Sequence, residues 1–160
     1  MNLDKWNALD AADAERELHQ VCAAPRWARE VVASRPHADV AALQAATEAA
    51  LTDADLDEAM AGHPRIGDRT AEGASRREQS GVAGADPGVL AALADGNRAY
   101  EERFGHVYLV CATGRSAEEL LDVLRTRLGN DPATERAVAL GELAAINRLR
   151  IARLFGEDGS

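Results

Sequence analysis

The sequence predicts an all-α protein, a single compact helical domain of about seven helices with one short extended segment at Val107 to Ala112. Three observations lead there. Aromatic residues make up only 4% while alanine is plentiful and Val and Ile are scattered, a composition that favours helix over sheet. Apolar residues recur at three- and four-residue intervals through most of the chain. Asp, Ser and Thr stand before these stretches and glycine after several of them, as helix ends require. A length of 160 residues suits one hydrophobic core, so residues 1–160 read as one domain.

Asp10 caps the first helix, whose Ala11, Ala14, Leu18 and Val21 share one face. Pro25 fits the first turn of the next, through Trp27, Val31 and Val32 to Pro36. Asp39 caps a helix with Val40, Leu43 and Leu51, and Thr52 caps another through Leu56, Ala59 and Met60 to Gly62. From His63 to Ala74 the chain is polar and irregular, and reads as a long surface loop. Ser75 opens a helical turn, with Glu78 three residues on, before a break at Gly81 and Gly84. Asp86-Pro87 starts a long helix through Leu90, Leu93, Asn97, Tyr100 and Phe104 that ends at Gly105. Val107 to Ala112 is continuously apolar without helical period, a short strand or a buried extended segment. Ser116 and Glu119 form a capping box for a helix stopping at Gly129. Asp131-Pro132 begins the last, whose apolar positions are Leu140, Leu143, Ile146, Leu149, Leu154 and Phe155.

A net charge of −9 removes any general attraction to nucleic acid or anionic membrane, but it leaves room for a small anion in a locally positive pocket. No stretch approaches the roughly 20 apolar residues of a membrane span, and residues 1–10 lack a signal layout, so a cytoplasmic location is expected. Cys22 and Cys111 are far apart and read as reduced thiols. His19, His37 and His106 share no metal-ligand spacing with His63, so no metal site is expected.

Three places could carry chemistry. In His63-Pro64-Arg65-Ile66-Gly67 an imidazole stands just past a helix end, its backbone held extended by Pro64. An ordinary histidine pKa near 6.5 suits proton transfer, although a helix-terminal His held by the dipole has the same signature. Ser75-Arg76-Arg77-Glu78-Gln79 concentrates hydroxyl, carboxylate and amide groups at a helix start, which suits a polar anionic ligand; S-x-x-E is also a plain capping box. Gln79 adds a donor and an acceptor for a ureido or imide edge. On the last helix Arg150 is four residues from both Ile146 and Leu154, which makes it a better candidate than Arg148 or Arg153 for a substrate carboxylate. Val107 to Ala112 could offer backbone amides, or be plain core.

Taken in order, these residues resemble the decarboxylases of 2-oxo-4-hydroxy-4-carboxy-5-ureidoimidazoline (OHCU), the last step from urate to (S)-allantoin. The carriers are Arg35-Pro36, His63-Pro64-Arg65-Ile66-Gly67, Ser75-x-x-Glu78-Gln79, Asn97-x-x-Tyr100-x-x-Arg103-Phe104-Gly105-His106-Val107-Tyr108 and Leu149-Arg150-Ile151. The resemblance implies an all-helical, cofactor-free carboxy-lyase, usually dimeric, that takes a small-molecule substrate. It implies His63, Glu78 and Arg150 as catalytic residues. It implies substrate contacts from Pro64, Ser75, Arg76, Arg77, Glu78, Gln79, Tyr108, Leu109, Val110, Cys111, Ala112 and Arg150. Tyr108 stands where the family usually has Phe, and Ala145 where Lys is common. The alternative from another class is a helical protein-interaction module in which these residues are only caps. A pathway neighbour, hydrolysis of 5-hydroxyisourate, would call for a different His, Arg and Ser arrangement.

Overall fold

The structure is a computed structural model, and it describes residues 1–61, 63–67, 77–82 and 84–156. Eight helices are present among the described residues: α1 (Leu3–Ala8), α2 (Ala11–His19), α3 (Pro25–Ala33), α4 (Val40–Ala50), α5 (Asp53–Ala61), α6 (Pro87–Phe104), α7 (Ala117–Arg127) and α8 (Pro132–Phe155). No strand occurs among the described residues, and none of the described helices is long and apolar enough to cross a membrane. The all-α expectation therefore holds. The surface loop expected at 63–74 lies largely outside the described residues, as do Ser75 and Arg76.

Most helix ends follow the caps read from the sequence. Asp10 accepts from Asp13 N at 2.8 Å and Asp39 from Ala42 N at 2.8 Å. Asp86 accepts from Gly88 N at 2.8 Å, with Pro87 at the first position of α6. Gly105, at φ 78°, closes α6 in the left-handed conformation that only glycine adopts without strain. Ser116 and Glu119 make the reciprocal capping box, with bonds of 3.2 and 3.3 Å. Ser116→Ala is therefore expected to cost about 1 kcal/mol in urea unfolding, with α7 otherwise unchanged.

At the start of α5, Thr52 O accepts from Asp55 N at 3.0 Å, and the Thr52 N–H and hydroxyl both donate to the Asp55 carboxylate, each at 2.9 Å. Helix α1 was not expected, because its six residues are too few to show a period. Asn2 caps it at 3.2 Å, Trp6 is fully buried, and the Trp6 indole donates to Ala14 O at 3.1 Å. The Arg35 guanidinium then donates to Trp6 O at 2.9 Å, which also accepts from Leu9 N, and to Leu9 O at 2.8 Å at the C-terminal end of the helix.

The chain divides into two compact units. The first comprises Met1–Gly62 and Leu143–Ser160, and the second His63–Glu142. In the first, the buried side chains include Trp6, Leu18, Trp27, Leu43, Leu56, Leu143 and Ile151, each fully covered. The Trp6 ring meets Phe155 edge-on at 5.5 Å, and the Trp27 indole donates to Thr47 O at 2.9 Å. Leu149, expected on the apolar side of the last helix, is 36% exposed. In the second, Ile66, Val82, Leu93, Tyr100, Tyr108, Val110, Leu120 and Leu124 belong to one continuous core.

Candidate active site

His63 begins the second unit in a loop that the fold braces on three sides. His63 and Pro64 are half-buried, and Ile66, three residues on, is anchored in the core. Asn97 of α6 donates to Ile66 O at 3.1 Å, and Glu101, one turn on, takes two bonds of 2.9 Å from the Arg65 guanidinium. Gln79 closes the loop from the other direction: its carbonyl accepts from Gly67 N at 2.9 Å and its amide donates to Arg65 O at 3.3 Å. Gly67 has φ 89° with nothing near where a Cβ would sit, so backbone conformation rather than crowding calls for glycine there. The sequence suggested Gln79 as a reader of the substrate's edge, whereas in the structure both ends of its amide are committed to the histidine loop.

Glu78 sits on the helical turn at Arg77–Glu78 and is buried at 7% exposure, while Arg77 is exposed. Glu78 lies close enough to Cys111 that its charge, with that of Glu142, adds to burial in pushing the Cys111 thiol up. The carboxylate and the segment expected to face substrate are thus brought into one neighbourhood of the second unit.

The stretch 107–112 is neither helix nor strand. Tyr108, Leu109, Val110 and Ala112 are buried and Cys111 is half-buried. A buried ion pair holds the segment from behind. Arg127 donates to Leu109 O at 2.8 Å and through Nε to Glu135 at 2.8 Å, and it lies 4.9 Å from the centre of the Tyr108 ring. The Tyr100 hydroxyl also donates to Glu135, Asn130 completes the carboxylate at 3.1 Å, and the Tyr108 hydroxyl donates to Leu120 O at 3.0 Å. Burial and the neighbouring carboxylate push the Tyr100 hydroxyl well above its ordinary range. Sequence reasoning missed this network. Arg127 reads as a helix-end cation and Glu135 as a first-turn acid, and only the fold joins them.

Two buried carboxyls, Glu135 and Asp55, titrate low. Burial opposes the shift in both, but bonds from Arg127, Tyr100 and Asn130 hold Glu135 down, and bonds from Arg26 and Thr52 do the same for Asp55. Folded values below the unfolded ones mean that both groups add stability in full above about pH 5. That contribution disappears as pH falls through the lowered folded values. Melting temperature is therefore expected to fall steeply below about pH 4 in a series from pH 7 to pH 3, and less steeply in Glu135→Gln.

In the first unit Arg150 is half-buried and donates to Val21 O at 3.0 Å, whereas Arg148 pairs with Glu48 at 2.9 Å on the surface. The two arginines left in competition by the sequence thus have different surroundings. Next to Val21, burial pushes the Cys22 thiol up to about 11 although Asn147 and Arg150 favour its thiolate, so it is protonated at neutral pH. A shallow depression in this unit, lined by Glu15, Arg16, His19 and Gln20, holds none of the expected site residues.

Fold and side chains define a class: an all-helical protein that presents an imidazole on a braced loop and a buried carboxylate in the same unit, groups suited to moving protons on a small substrate. The profile of the OHCU decarboxylase family matches residues 7–152, and the chain belongs to that family. It is 27% identical over 154 residues to the uric acid degradation bifunctional protein TTL of Arabidopsis thaliana, across 89% of this chain and 48% of that protein. It is 40% identical over 82 residues to the 2-oxo-4-hydroxy-4-carboxy-5-ureidoimidazoline decarboxylase of Amia calva, across 51% of this chain and 47% of that one. The matches thus cover about half the length of these relatives. A crystal structure of OHCU decarboxylase in the presence of (S)-allantoin superposes with a TM-score of 0.77 at 28% identity, over 87% of this chain and 96% of that one. An (S)-allantoin synthase structure shares the fold, with a TM-score of 0.73 at 17% identity over 97% of this chain and 54% of that one.

Proposed function

We propose that this protein decarboxylates OHCU to (S)-allantoin and CO2, the last step from urate to allantoin in purine catabolism. The observation that supports this most is the family match over residues 7–152, which contains the His63-Pro64-Arg65-Ile66-Gly67 loop with its braces. The substrate carries its own electron sink. As the bond from C4 to the carboxylate breaks, CO2 leaves and the electron pair moves through C4–C5 to the adjacent ring nitrogen, which takes up a proton. The 4-hydroxyl then becomes the carbonyl of allantoin as a proton is delivered to C5, and the face of that delivery sets the S configuration. No further group is required for this electron flow, so the reaction is assigned as cofactor-free.

In this reading His63 exchanges a proton with the 4-hydroxyl and Glu78 orients the imidazole or that hydroxyl. Arg150 holds an anionic or carbonyl group of the substrate. Pro64, Ser75, Arg76, Arg77, Gln79 and the backbone of Tyr108, Leu109, Val110, Cys111 and Ala112 bound the site. The working form is a cytoplasmic homodimer whose chain acts as one OHCU decarboxylase-like domain over residues 1–160. The test is to generate OHCU fresh from urate and follow its consumption with and without the protein. Consumption should accelerate in proportion to protein added; a rate equal to spontaneous decay would overturn the proposal.

A further inference from the structure

We infer that one turn of α6, Asn97 to Glu101, is the positioning element of the site, because it holds both the His63 loop and the Tyr108–Ala112 segment from a single helix face. The inference rests on the proposed role of His63. Asn97, Tyr100 and Glu101 are three and four residues apart and so share a face. Toward the loop, Asn97 bonds Ile66 O at 3.1 Å and Glu101 takes the Arg65 guanidinium through two 2.9 Å bonds. Toward the segment, the Tyr100 hydroxyl bonds Glu135, whose partner Arg127 holds Leu109 O at 2.8 Å, and the Tyr100 ring packs 5.4 Å from Tyr108. These contacts set the distance between an imidazole and the backbone expected to read the substrate.

Asn97 gives the idea its sharpest form. Its side chain is 2% exposed, yet Oδ1 has no hydrogen-bond partner among the described residues. A buried polar atom without a partner is unfavourable, so packing alone gives no reason for an amide here. The amide's one bond, to Ile66 O, is its reason. Replacing Asn97 by leucine removes the unpartnered oxygen and strands one carbonyl, two effects that roughly offset.

The experiment measures kcat, KM and Tm of Asn97→Leu, Tyr100→Phe and Glu101→Gln, with Leu124→Ala as a control that opens a cavity in the same core. Asn97→Leu should keep Tm within a few degrees of wild type and lose about 10- to 100-fold in kcat with KM little changed, since a displacement of about 1 Å can have that effect. Leu124→Ala should lower Tm and keep kcat. Wild-type kcat in folded Asn97→Leu would overturn the inference. If that variant does not fold, Tyr100→Phe and Glu101→Gln decide, and wild-type kcat in both overturns it. His63→Asn, assayed alongside, separates the two readings: full activity there removes His63 from the chemistry, whereas an inactive His63→Asn beside a fully active Asn97→Leu removes only the positioning role.

Discussion

His63→Asn is expected to reduce decarboxylation of OHCU by about 10² to 10⁴-fold, the usual worth of a positioned acid or base. Asparagine keeps a polar side chain of similar reach but cannot exchange a proton near neutral pH. The loop has braces of its own apart from the imidazole. Its braces are the Asn97 bond to Ile66 O, the Arg65–Glu101 pair and the two Gln79 bonds, none of which involves the His63 side chain. Tm should therefore stay within a few degrees of wild type, and a loss of turnover can be assigned to chemistry. Measuring kcat and Tm on the same preparation checks both halves. Turnover within about threefold of wild type would mean that His63 is not the proton-transfer group.

Glu135→Gln carries the largest expected change in stability. Glu135 is fully buried and Arg127 is 4% exposed, so removing the carboxylate leaves a guanidinium charge in the core with no counter-charge. Breaking one side of such a pair costs about 3–5 kcal/mol, which for a chain of this size lowers Tm by roughly 10 °C. The double variant Arg127→Met, Glu135→Leu removes both charges and should regain most of that loss. It should not regain activity, because Leu109 O then lacks the Arg127 bond that holds the segment proposed to face substrate. Thermal unfolding of the single and double variants, with kcat for each, tests this. Equal Tm losses in both would contradict the ion-pair account.

The contrast between these two positions explains what could be read from the chain. Helix ends are local, so Asp10, Asp39, Asp86, Gly105 and the Ser116–Glu119 box all appeared where side-chain chemistry placed them. The His63 loop was visible for the same reason, since Pro64 constrains its neighbour and Gly67 marks the turn. Its anchors were not, because Asn97 and Glu101 come more than 30 residues later and reach it only in the folded unit. Helix α1 escaped because six residues show no period, and it is held by Trp6 burial and by Arg35 from the end of α3. Arg148 and Arg150, two residues apart, offered no local means of choosing; Glu48 binds the first and Val21 O the second. Gln79 was legible as a polar group with two faces, but not as a brace.

The measurement that bears most directly on the central claim is the chirality of allantoin formed from OHCU freshly generated from urate, followed as the protein concentration is raised. The account predicts a growing excess of (S)-allantoin, formed faster than spontaneous decay and abolished in His63→Asn. Racemic allantoin at the uncatalysed rate, at every protein concentration, would contradict it.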